Sequence, residues 1–370
     1  MGFCPCRHAG PACVTTDQRK DVNVAFDMPL TDRPVAQRGK DHVQIGADLV
    51  LLLSDAGDGR LGLRATPDLT VAQALAAFET LSAEGGEVAI RLDGADWAGL
   101  LPRLVLMGVA TAVGTAHWVL PVAFWQVPDR WIMHPTPPWP TLWQTGPNGR
   151  HPVRPPKPAG PLYRRYIPWL GQHIELRAAC IDDLATFHRW QNDPRVAAFF
   201  EEAGTLEAHR DTLQTLIADP HILPVIGSLD GRDFGYFELY WARENRIGGV
   251  YDADPWDRGW HVLIGEDDMR GADYVTAWMP SLMHYMFLAE PRTQALMGEP
   301  KASHLKQLRN LGRGGFAHVR DFDFSHKRAT LVRLERQHFF ESRIWARPDT
   351  GQGTPLALSL TNMLGTGENR

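Results

Sequence analysis

His261 stands in an apolar run, Trp260 to Ile264, that reads as a buried strand. Strand side chains alternate between faces, so His261 points away from Trp260 and Val262. A neutral imidazole placed there can accept or return a proton near neutral pH. An acidic turn follows, and then Arg270-Gly271 at the head of a long amphipathic helix. The first amides of a helix lack intrahelical partners and suit an anion. A second apolar strand, Ala295 to Met297, ends at Glu299-Pro300. Strand, turn, helix and strand thus form a unit able to hold an anionic cofactor one strand-width from a base. That chemistry is group transfer from a phosphorylated carrier.

Period and punctuation outline the elements that must position this unit. Ile174 to Ala178 reads as a strand, and Asp182 to Gln191 as a helix stopped by Asn192-Asp193-Pro194. Thr205 caps a second helix running to Asp219. Leu223 to Leu229 and Gly235 to Trp241 form a hairpin across Asp230-Gly231. Downstream lie a helix from Ser303 to Leu311 and strands Ala317 to Phe322 and Ala329 to Glu335. In the long helix, Val275, Trp278, Met279, Leu282 and Met286 form a core stripe. Pro280 within it predicts a kink or local break. The fold class is α/β, a mixed central sheet flanked by helices over residues 162–347.

An additional N-terminal α/β domain is expected over 41–127. It has strands His42 to Leu53, Val88 to Leu92 and Trp118 to Trp125, a helix Val71 to Ser82, and a buried helix Trp97 to Val113. Residues 128–161 hold eleven prolines and read as an extended linker, pinned by Trp131, Trp139 and Trp143. Residues 1–40 read as a disordered polar leader and 348–370 as a flexible tail. Cys4, Cys6, Cys13 and His8 lack a second paired knuckle, so no metal is expected. Cys180 reads as a small apolar residue.

The chain is 44% hydrophobic with a net charge of −5, a globular composition that excludes a general nucleic-acid binder. No apolar run reaches the roughly 18 residues of a membrane-spanning helix, and no membrane partner is expected. The start lacks a basic segment followed by an apolar one, so the cytoplasm is the default location.

Several ordered motifs resemble the GNAT acyltransferases, and within them the siderophore-biosynthesis branch. That branch comprises the hydroxylysine and hydroxyornithine N-acyltransferases of aerobactin- and rhizobactin-type pathways and the mycobactin lysine acyltransferase. The likeness rests on Phe187 to Val196, Glu238 to Ala242, Tyr251 to Asp254, Arg258 to Gly265, Ala277 to Leu282, Pro291 to Gln294, Glu299-Pro300, Gly315-Phe316 and Phe322 to Ala329. It spans about residues 174–345. The resemblance implies an acyl-CoA donor, acetyl-CoA above all, with its pantetheine in a splayed gap between two central strands. It implies transfer to a small N-hydroxylated amine or amino acid, which yields a hydroxamate. Separately, the N-terminal domain is a candidate either to cover the active site or to mediate a homodimer. Two alternatives are acylation of a plain amine such as lysine or a polyamine, and a non-catalytic protein that binds CoA or a partner.

By the same resemblance His261 is the catalytic base. Val262, Leu263 and Ile264 border the pantetheine, and Arg270, Gly271 and Ala272 face the pyrophosphate. Asp267, Asp268 and Asp273 must then point away. After Glu299-Pro300 the family places an acid and then an asparagine, whereas this chain has Lys301-Ala302-Ser303-His304. His261 is therefore expected to act without an acid from that position. Ser303 either caps the helix or hydrogen-bonds the departing thiolate, and His304 either replaces the asparagine or is structural. Lys306, Arg309 and Arg313 line one helix face, which is either solvated or a dock for the 3′-phosphate. The acceptor side is assigned to His188, Asn192, Trp241, Glu244, Tyr251, Asp252, Asp254 and Trp260, with Arg243 or Arg246 for a substrate carboxylate.

Overall fold

The computed structural model describes residues 33–57, 59–83, 89–136 and 138–346. Cys4, Cys6, His8, Cys13 and the tail 348–370 lie outside these residues.

The first sheet has seven strands in the order β1-β2-β3-β4-β5-β7-β6. They are β1 (Ala36–Arg38), β2 (His42–Ile45), β3 (Leu49–Asp55), β4 (Leu61–Arg64), β5 (Ile90–Asp93), β6 (Ala110–Val113) and β7 (Ala116–Val119). Helices α1 (Val71–Ala83), α2 (Leu101–Leu106) and α3 (Pro121–Phe124) accompany it. Four expectations change here. The strand expected from Trp118 to Trp125 ends at Val119, and Pro121 opens helix α3 in its place. Ala36, placed in the leader, is 2% exposed and starts β1. The run His42 to Leu53 breaks into a hairpin at Gly46, whose φ is 60°. The predicted helix Trp97 to Val113 shrinks to α2, because Gly108 adopts φ 74° and hands the chain to β6.

The proline-rich segment is more than a linker. Trp143–Gly146 (β8) and Gly149–Pro152 (β9) pair as a two-stranded ribbon. Trp131 is fully buried and stacks on Trp125 at 4.6 Å. Trp143 remains exposed, so only one of these two tryptophans anchors the segment in the core.

The second sheet has eight strands in the order β10-β11-β12-β13-β14-β15-β17-β16. They are β10 (Pro161–Ile167), β11 (Gln172–Ala178), β12 (Ile222–Leu229), β13 (Arg232–Trp241), β14 (Arg258–Ile264), β15 (Ala295–Gly298), β16 (Ala317–Asp323) and β17 (Arg328–Glu335). Its helices are α4 (Leu184–Gln191), α5 (Pro194–Phe200), α6 (Leu206–Ala218), α7 (Ala272–Ala289), α8 (Leu305–Arg313) and α9 (Arg336–Glu341). Pro194 ends α4 as read but also opens α5, at a first-turn position that needs no N–H. α7 passes through Pro280 without a break. One hydrophobic core runs from Leu63 and Phe78 through Trp131 and Tyr163 to Phe237, Tyr285 and Trp345, so it joins both sheets. At that junction His284 accepts from the Tyr163 hydroxyl at 2.9 Å and donates to the Trp125 carbonyl at 2.6 Å. Complete burial pushes this imidazole down to about 3, so it stays neutral.

Candidate active site

Alternation along β13 puts Tyr236, Glu238 and Tyr240 on one face and Phe237, Leu239 and Trp241 on the other. Glu238 lies directly opposite His261 of β14. His261 Nδ1 donates to Glu238 Oε2 at 2.7 Å. Its Nε2 lies 3.8 Å from Glu299 Oε1, beyond hydrogen-bond reach, and is buried without a partner. Glu299, just past β15, accepts from Arg246 Nε at 2.9 Å and from Lys327 Nζ. Tyr240 leans on the imidazole with centroids 5.0 Å apart. A side chain at position 259 would meet that phenol ring at 2.5 Å, which explains the glycine.

Charges therefore alternate along Glu238, His261, Glu299 and the pair Lys327/Arg246. Burial opposes the imidazolium most strongly, but the two carboxylates outweigh it and raise His261 to about 9. Burial likewise disfavours the Glu299 carboxylate, and His261, Lys327 and Arg246 together hold it down to about 2. The acid missing after Pro300 is thus supplied from two other places. Neither Glu238 nor Glu299 was among the expected site residues. The available signal was a glutamate on the inward face of the apolar strand Gly235 to Trp241.

β14 and β15 pair in parallel at two positions only, Arg258 with Leu296 and Gly259 with Met297. From Trp260 to Ile264 no described strand pairs with that edge, so its backbone is open beside His261. Val262, Leu263 and Ile264 lie along this opening. At its far end Arg195 of α5 donates to the Ile264 carbonyl at 3.0 Å and the Gly265 carbonyl at 2.9 Å. The chain then turns through Arg270 and Gly271 into the first turn of α7, where Ala272 is exposed. Gly271 has φ 113° and ψ −176°, a region essentially closed to other residues. Asp267 pairs with Arg270 at 2.9 Å and Asp268 with Arg232 at 2.7 Å, so arginines offset both acids. On α8, Lys306, Arg309 and Arg313 are exposed and form no ion pair among the described residues. His304, not Ser303, caps α8, its Nδ1 accepting from the Gln307 amide at 3.3 Å. Ser303 is exposed on the preceding turn.

The expected acceptor residues divide. Trp241 and Trp260 belong to the face opposite His261. Trp241 stacks on Arg154 at 4.2 Å and Trp260 packs on Phe316 at 5.4 Å. Glu244 is taken up by Arg154 at 2.5 and 2.6 Å and by His151 at 3.1 Å, so it is a structural anchor for β9 and not a free carboxylate. Arg243 donates to the carbonyls of Arg150 and Ala253 and is equally engaged. Tyr251 packs near Tyr240 and donates to Asp257 at 2.9 Å. Asp252 and Asp254 are exposed, and Asp254 accepts from the Trp256 amide at 2.9 Å. Asn192 holds Gly204 by two 3.0 Å bonds, and His188 meets His209 at 2.7 Å, so both brace the loop after α5. Cys180 is exposed, at the N-cap before Ile181, and not apolar packing.

An acetyltransferase (GNAT) domain family matches residues 180–324. The Escherichia coli protein named N(6)-hydroxylysine O-acetyltransferase is 40% identical over 233 residues, covering 59% of this chain and 70% of that protein. The chain belongs to the GNAT acyltransferase family. A hydroxyornithine transacylase of Ajellomyces capsulatus is 46% identical over 198 residues, 52% of this chain and 45% of that one. A Beauveria bassiana protein named N(5)-hydroxyornithine:cis-anhydromevalonyl coenzyme A-N(5)-transacylase is 44% identical over 196 residues, 52% of this chain and 43% of that one. The chain thus spans less than half the length of the two fungal relatives. As a GNAT acyltransferase it takes its acyl group from an acyl-CoA. The open β14 edge and the glycine-started α7 fit the pantetheine and pyrophosphate of such a donor. No described helix is long and apolar enough to cross a membrane.

Proposed function

We propose that this chain moves an acyl group, acetyl in the first instance, from acyl-CoA to the hydroxylated nitrogen of a diamine or amino acid such as N-hydroxylysine or N-hydroxyornithine. The product is a hydroxamate for siderophore biosynthesis, made in the cytoplasm. One observation carries the reading: His261 is clamped through Nδ1 by Glu238 while its Nε2, 3.8 Å from Glu299, makes no hydrogen bond among the described residues. The names of the two fungal relatives agree with a hydroxyornithine acceptor, and that of the Escherichia coli relative agrees with a hydroxylysine acceptor while naming oxygen as the acylated atom.

A hydroxylamine nitrogen is less basic than an alkylamine and attacks unprotonated at neutral pH. A strong base is therefore not needed before the C–N bond forms. The demand falls on the leaving thiolate, whose conjugate acid resembles a cysteine thiol with a pKa of about 8.5. An imidazolium held at about 9 matches it as a donor. As the C–S bond breaks, Nε2–H protonates sulfur, and the neutral imidazole then takes the proton from the acylated nitrogen. The net transfer is one proton from nitrogen to sulfur, and His261 returns to its starting state.

The test combines thiol release with ferric-hydroxamate absorbance, using acetyl-CoA and N-hydroxylysine or N-hydroxyornithine. Both signals are expected to rise together. Thiol release without a ferric-hydroxamate signal means O-acylation, and turnover confined to plain lysine means a different acceptor. Either result overturns the proposal.

A further inference from the structure

The loop that leaves α5 carries two adjacent glutamates with different surroundings. Glu201 adopts φ 60° and pairs with Lys301 at 2.6 Å. Glu202 has no cation within ion-pair distance among the described residues, and its Oε2 accepts from Gln191 Nε2 at 3.1 Å. Gln191 is fully buried, yet its Oε1 has no partner. An orphaned amide oxygen beside a solvent-exposed carboxylate that faces no cation among the described residues suits a positively charged N–H group. The loop is fixed well enough to present them. Asn192 clamps Gly204, and His209 Nε2 donates to the Glu202 carbonyl at 2.8 Å. The Glu201–Lys301 pair sets this loop beside the segment that follows Glu299, whose carboxylate lies 3.8 Å from His261 Nε2.

We infer that Gln191 Oε1 and the Glu202 carboxylate bind the second, charged ammonium group of the acceptor and so select hydroxylated diamines or amino acids over neutral hydroxylamines. The inference rests on the proposed acceptor class.

The experiment compares, with acetyl-CoA, an N-hydroxydiamine ending in an ammonium and an N-alkylhydroxylamine of equal length ending in a methyl group. Wild type is expected to show a KM roughly ten- to a hundredfold lower for the ammonium-bearing acceptor. Glu202→Gln should abolish that difference while keeping kcat and the KM of the neutral acceptor. Gln191→Leu should narrow it. An unchanged thermal midpoint of Glu202→Gln shows that the loop keeps its fold. If Glu202→Gln leaves the KM ratio intact, or raises both KM values equally, the inference fails although hydroxylamine acylation stands. If wild type acylates neither compound, the proposed function itself fails and takes the inference with it.

Discussion

Glu238 and His261 face each other across the β13–β14 ladder, with Oε2 2.7 Å from Nδ1. A carboxylate in this place fixes the ring and stabilises its charged form. Glu238→Gln keeps an acceptor for Nδ1–H but removes the charge. The imidazole should then lose its proton at lower pH than the wild-type value of about 9. In the pH profile of kcat the high-pH limb should move down by more than one unit, with kcat at its optimum reduced roughly ten- to a hundredfold. An unmoved limb means that His261 does not set it.

The same shift has a consequence for stability. His261 titrates at about 9 in the fold against 6.5 outside it, so its contribution is complete below 6.5 and is lost as pH rises through 9. Glu299, at about 2 against 4.5, contributes fully above 4.5 and loses that as pH falls toward 2. The cluster is therefore most stabilising between these limits. Urea unfolding should show wild type losing stability between pH 6.5 and 9, and His261→Gln losing much less. Parallel curves would show that the imidazole carries no such linkage.

How much of this was legible in the sequence depended on locality. His261, the turn at Gly271 and the α7 stripe announce themselves through period and neighbouring residues, and they lie where expected. The Glu238 pairing depends on strand register across an intervening stretch that includes Tyr251 and Asp257, which no local pattern encodes. Glu244 looked like a free carboxylate in an acidic segment. Its partner, Arg154, comes from a proline-rich stretch 90 residues upstream that was read as a linker. His304 took the cap from Ser303 because capping needs a backbone geometry, not just a hydroxyl, at the right position.

Glu244 should accordingly behave as an anchor. Glu244→Ala strands Arg154, which is buried beside Trp241 and Trp256. Breaking a buried pair from one side costs about 3–5 kcal/mol. Thermal unfolding should report that loss, while the acceptor KM of the folded fraction stays near wild type. A large KM change with unchanged stability would return Glu244 to the acceptor site.

Gly271 tests the expected pyrophosphate turn. Its φ of 113° with ψ near 180° costs a residue with Cβ about 1–3 kcal/mol. No atom lies within 4 Å of the added carbon, so the penalty is one of backbone conformation rather than collision. Gly271→Ala should relieve strain by turning the first amides of α7 and so weaken CoA binding about tenfold or more. Calorimetric titration with CoA checks this, and unchanged affinity would move the pyrophosphate elsewhere.

The basic face of α8 makes the last claim on the donor. Lys306 and Arg309 are three residues apart, exposed and without an ion pair among the described residues, so their charge is available to a phosphate. A solvated face and a phosphate dock differ in what they distinguish. Lys306→Ala combined with Arg309→Ala should weaken CoA binding about tenfold at low salt, and less at high salt, because exposed charges are screened. Binding of CoA that lacks its 3′-phosphate should hardly change in the same variant. Equal losses for the two ligands would indicate a general field around α8. No loss for either would leave the basic face to the solvent.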